Sequence, residues 1–86
     1  MKTKRITLAV KLKTLRETNS LTQESVRKAL KYKSVQFISN WERGLATIPA
    51  KVVPALAKIY KVKAESLIDL MVADYRERAL TQAGLR

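Results

Sequence analysis

The sequence predicts an all-α fold, a compact bundle of four to five short helices with a central helix-turn-helix. Three observations carry this. Apolar residues recur at intervals of three and four along most of the chain, the spacing of one helix face. No segment alternates as a strand would. Only two Gly and two Pro interrupt 86 residues that are 47% hydrophobic, a composition that favours helix and leaves little room for long disorder.

The elements follow in order. Leu8, Leu12 and Leu15 mark the buried face of a first helix over residues 7–18, with Lys11, Lys13 and Arg16 turned from it and Asn19-Ser20 ending it. Thr22 is placed to cap a second helix, with Gln23 and Glu24 in its first turn and Val26 and Leu30 facing inward. Lys31-Tyr32-Lys33 forms a short turn. Ser34 is placed to cap a third helix, residues 34–43, which buries Ile38 and Trp41 and stops at Gly44. Phe37 reads as core in preference to a groove contact. A loop over residues 45–49 precedes a fourth helix, roughly residues 51–60, with Pro54 in its first turn or two and Val53, Leu56 and Tyr60 inward. A fifth helix begins near Ala64, its apolar stripe made by Leu67, Ile68, Met71 and Tyr75 and widened by Leu70, Val72 and Ala73.

Charge and composition bound the function. The net charge is +11, and it is uneven: residues 1–63 hold 15 Lys/Arg against three acids, residues 64–86 three against four. A basic body with a near-neutral end suits a polyanionic partner for the body and another task for the end. With no His, no Cys and no Gly-rich phosphate loop, the chain offers no credible catalytic set, no zinc framework and no disulfide, so an enzyme is not expected, nor a cofactor. No run of about 18 apolar residues is present to span a membrane. The opening residues start like a signal peptide, but the apolar run 6–10 is too short, so the expected location is the cytoplasm, associated with the nucleoid through DNA. The second and third helices meet across a turn that crosses them steeply, and the third leaves Ser34, Gln36, Ser39 and Asn40 free on its outer face. Hydrogen-bonding side chains on such a helix suit base edges in a major groove, so duplex DNA is the expected partner.

These residues resemble the phage-repressor-like helix-turn-helix proteins of the XRE family. The likeness covers about residues 8–70: Leu15-Arg16 closing the first helix, Leu21-Thr22-Gln23-Glu24 opening the second, Ser34, Ile38-Ser39 and Trp41-Glu42-Arg43-Gly44 through the third, then Pro49 and Ala57, Tyr60 and Val62. Two features depart from the pattern. Lys31 stands where many relatives have Gly in a left-handed conformation, and the turn is about one residue longer than the commonest form.

The resemblance implies that Gln23 bonds a DNA phosphate and Gln36 reads a base; Asn40, one turn on, is able to read likewise, since either amide can bond adenine N6 and N7. Val35 either meets a thymine methyl or only covers the helix start. Lys33, Ser34, Ser39 and Arg43 reach phosphates. Glu42, ill-placed beside phosphates, is expected in an internal salt bridge with Arg16, and Trp41 in the core.

Lys2, Lys4 and Arg5 form a basic arm over residues 1–6, ahead of a DNA-binding unit over 7–63. The helix over 64–80 is expected to pair with its copy in a homodimer through Leu70, Met71 and Tyr75, or else to close its own core, and residues 81–86 to fray. The expected function is a transcriptional regulator, a repressor on an inverted-repeat operator. The alternative is an antitoxin-type module that binds a protein partner through its last helix and regulates its own gene through the helix-turn-helix.

Overall fold

In a computed structural model, which describes residues 7–86, all regular structure among the described residues is helical: α1 Leu8–Thr18, α2 Gln23–Leu30, α3 Gln36–Glu42, α4 Val53–Tyr60 and α5 Ala64–Gln82, with one 3₁₀ turn, Ala50–Val52, ahead of α4. The basic arm expected at Lys2, Lys4 and Arg5 lies outside the described residues.

Each helix start and stop has a local cause. Thr7 accepts from the Val10 N–H at 3.2 Å and caps α1. Thr22 Oγ1 accepts from the Ser25 N–H at 3.0 Å while Ser25 Oγ accepts from the Thr22 N–H at 2.9 Å, a reciprocal box that satisfies two donors otherwise left free at the start of α2. At the end of α2 Lys31 turns left-handed, φ 63°, and Tyr32 N–H bonds Arg27 O at 3.1 Å. Arg27 then locks the turn from outside: Nη1 donates to Tyr32 O at 2.7 Å while Nε and Nη2 hold Glu24 at 2.9 and 2.8 Å.

That turn displaces the expected start of α3. Ser34 is not its N-cap; Val35 holds that position, and α3 runs from Gln36 to Glu42. Ser34 still serves the helix start, because its Oγ accepts from the Gln36 N–H at 3.0 Å. Gly44, at φ 76°, ends α3 with Leu45 N–H on Asn40 O at 2.9 Å, a conformation that suits glycine.

The core is a single cluster. Leu8, Leu12 and Leu15 of α1 meet Val26 of α2, Ile38 and Trp41 of α3, Val53, Leu56, Ala57 and Tyr60 of α4, and Leu67 of α5. Ile48, in the loop between α3 and the 3₁₀ turn, is fully buried among them although no periodicity marks it. Asn19 joins the ends of two helices by donating from Nδ2 to Leu15 O at 2.8 Å and Tyr60 O at 3.1 Å. Phe37 corrects the core expectation: it is 46% exposed, its ring stacked on Tyr32 with centroids 4.8 Å apart. It lies about 100° around α3 from Ile38, on the helix flank, and Tyr32 fills the space between it and Trp41.

α5 is longer than the apolar pattern suggested. It continues through Gln82 and closes on Gly84, φ 78°, with Leu85 N–H on Leu80 O at 2.9 Å. Arg86 then holds Glu77 through two contacts of 3.1 Å.

Candidate nucleic-acid interface

The outer face of α3 is set by what its inner face buries. Ile38 and Trp41 are 1% and 5% exposed, which fixes the helix rotation. Gln36, Asn40 and Arg43 then fall at i, i+4 and i+7 along the opposite side. Gln36 Nε2 donates to Asn40 Oδ1 at 2.9 Å, so the two amides act as one unit. The bond leaves Gln36 Oε1 as an acceptor and the Asn40 NH2 as a donor, which together complement the N6–H and N7 of adenine. Val35 and Phe37 stand on opposite flanks of this pair, and Ser39 sits half-buried on the Val35 side. Lys33 and Ser34 are exposed in the turn ahead of the helix, and Arg43 is exposed at its end.

Beneath that face lies a polar network that joins three elements. Arg16 of α1 grips Glu42 of α3 with Nε on Oε2 at 2.7 Å and Nη2 on Oε1 at 3.1 Å, and its Nη1 donates to Leu21 O at 2.9 Å. Glu42 retains only 4% of its side-chain surface and Arg16 12%. The carboxylate hydrogen bond raises the Arg16 pKa, against the opposing effect of burial. Gln23, at the start of α2, donates from Nε2 to Glu42 Oε1 at 3.1 Å. A carboxylate only accepts, so this contact fixes which end of the amide faces inward. The amide nitrogen carries a second N–H, available to an anion at the start of α2.

The Tyr60 hydroxyl is also near this network; desolvation, then the charge of Glu42, pushes its pKa up to about 12.

α5 carries two adjacent apolar stripes. Leu67 is buried and Leu70 and Met71 are half-buried against the bundle, so these two lean on the chain's own core. Ile68, Val72 and Tyr75 are exposed, Val72 at 62% and Tyr75 at 74%, and with Ala79 they form a second stripe spaced four, three and four. Arg78 joins α5 to the end of α3, donating to Asp74 Oδ2 at 2.8 Å and Gly44 O at 3.0 Å. A cleft of about 140 Å³ at this junction is lined by Thr47, Met71, Asp74, Tyr75 and Arg78. Sequence spacing missed the exposure of Phe37 and did not separate Ile68 and Val72 from the residues of α5 that lean on the core. Phe37 was not legible from spacing, because it lies four residues before the buried Trp41 on the same side of α3.

Among the described residues, no cluster of His, Cys, Asp or Glu has the grouping to hold a metal ion, and no helix is long and apolar enough to cross a membrane. No curated protein and no solved structure matches the chain. A family profile described as a helix-turn-helix domain matches residues 7–71, which takes in α1 to α4, the polar network under α3 and the first turns of α5. With the order of α2, turn and α3 described above, the chain belongs to the helix-turn-helix domain family.

Proposed function

We propose that the protein is a sequence-specific transcriptional regulator of double-stranded DNA, a repressor that binds an inverted-repeat operator as a homodimer with α3 in the major groove. The observation that carries this reading is the bonded Gln36–Asn40 pair, turned outward on a helix whose other face is locked in the core. Gln36 and Asn40 read adenine, and Val35 covers one side of the contact. Gln23, Lys33, Ser34, Ser39 and Arg43 bond phosphates and set register. The charge of +11 supports a polyanionic partner, and the resemblance to phage-repressor-like proteins supports the operator geometry.

The homodimer reading rests on α5, with its contact moved around the helix. Tyr75 stays in the interface and is joined by Ile68, Val72 and Ala79, whose four-three-four spacing is that of a helix–helix seam. Leu70 and Met71 support that seam from behind. The same exposed stripe favours the second reading, an antitoxin-type module whose protein partner covers it. Light scattering on the purified protein separates the two, because a homodimer leaves no uncovered stripe.

Selection of bound sequences from a random duplex library, at about 150 mM salt, tests the function. The expected result is an inverted repeat with half-site centres about 34 Å apart, one helical turn. Strong binding at low salt with no sequence enriched would overturn the regulator reading and leave only nonspecific attraction.

A further inference from the structure

We propose that Phe37 is a base-reading residue whose ring lies against the C5-methyl of a thymine; this rests on the DNA-binding reading above. Phe37 is 46% exposed, and its surroundings suit it to a groove contact. Phe37 directly follows Gln36 and precedes Asn40 by three, so its ring flanks the bonded amide pair on α3. Adenine read through N6 and N7 is paired with thymine, whose methyl projects into the same groove. A groove helix that selects A·T with its amides therefore brings methyl groups up to whatever stands beside them. On this helix, that flank is apolar.

The ring is also held in place. One face stacks on Tyr32 at 4.8 Å and 26°, and Tyr32 meets the buried Trp41 edge-on at 5.4 Å and 76°. Three rings in series run from the core to the surface, so Phe37 loses little freedom on contact. The covered face belongs to Tyr32 and the other faces outward. Lys33 and Arg43 are exposed just before and just after α3, which suits a phosphate-flanked groove better than an apolar protein partner.

The test uses the operator obtained by selection. Each thymine is replaced in turn by deoxyuridine, which removes one methyl and leaves every hydrogen-bonding group. Affinity is measured for the wild-type protein and for Phe37→Ala, with a thermal melt to verify that the variant is folded. The expected result is one position in each half-site, next to an adenine–thymine pair read by Gln36 or Asn40, at which deoxyuridine costs the wild type about fourfold, the effect of one methyl leaving an apolar contact. The same replacement should cost Phe37→Ala nothing further. A ring that only shields Tyr32 and Trp41 would leave deoxyuridine without effect in the wild type, except at a thymine met by Val35, where both proteins would lose equally. That result, or an equal deoxyuridine penalty in both proteins at every position, overturns the assignment while leaving the regulator standing. Absence of any selected operator overturns both.

Discussion

Glu42 is the residue on which the others converge, because its carboxylate accepts from Arg16 twice and from Gln23 once. Replacing it with Ala leaves the Arg16 side chain, which is only 12% exposed, without the carboxylate that pairs with it. Breaking such a pair is expected to cost about 3 kcal/mol, measured as a fall in the urea midpoint. The double variant Arg16→Met, Glu42→Leu should recover most of that loss, because two apolar side chains need no partner. If the double variant is as unstable as the single one, the pair does more than neutralise charge. Tyr60 gives a second prediction at this scale. Its pKa rises from the ordinary 10.0 to about 12 in the fold, so folding favours the protonated ring. That contribution is whole below pH 10 and disappears as pH climbs through about 12. Urea midpoints should therefore fall over this alkaline range, and Tyr60→Phe should remove part of the fall. An identical slope in both proteins would place the alkaline loss elsewhere.

At the scale of elements, the turn between α2 and α3 holds a lysine where backbone conformation favours glycine. Lys31 sits at φ 63° and Lys61, closing α4, at φ 57°. A left-handed conformation costs a non-glycine residue about 1–2 kcal/mol, while glycine loosens the unfolded chain by about 0.4–1 kcal/mol. Lys31→Gly is therefore expected to stabilise by about 0.5–1 kcal/mol in a denaturant melt. Destabilisation would mean that the Lys31 side chain contributes to the fold. The helices themselves were legible because each buries one residue class at a 3.6-residue period: Leu8, Leu12 and Leu15 in α1, Ile38 and Trp41 in α3, Val53, Leu56 and Tyr60 in α4. Periodicity failed where two faces of one helix are both apolar. In α5 it could not tell Leu67, Leu70 and Met71, which lean on the bundle, from Ile68, Val72 and Tyr75, which do not, because the packing of α4 and α1 against α5 decides that. Ile48 was illegible for a related reason: a loop has no period. The Gln23–Glu42 bond spans 19 residues, and nothing local in the sequence encodes it. Arg16 and Glu42 were singled out by the resemblance and by the poor fit of an acid among phosphates.

The whole molecule divides its charge as it divides its surfaces. Residues 1–63 hold 15 of the 18 basic side chains, and residues 64–86 hold four of the seven acids. Two copies meeting through α5 would bring together the ends that repel least and leave both α3 faces free. Asp69 and Arg76, of opposite charge and seven residues apart, border the exposed stripe on the side away from the core. In an antiparallel pair each approaches its opposite on the other copy. Val72 lies within the stripe and is 62% exposed, so a charge there should leave the folded monomer within about 0.5 kcal/mol of wild type while opposing a symmetric contact. Val72→Glu is thus expected to be a folded monomer by light scattering where the wild type, on the proposed reading, is a dimer. Linking two reading heads multiplies affinity without any new base contact. The variant should therefore lose on the order of 100-fold on a full inverted repeat and almost nothing on an isolated half-site. Equal losses on both DNAs would mean that Val72 acts on α3 through the fold, and a wild-type protein monomeric at micromolar concentration would move the stripe from a second copy to a different protein.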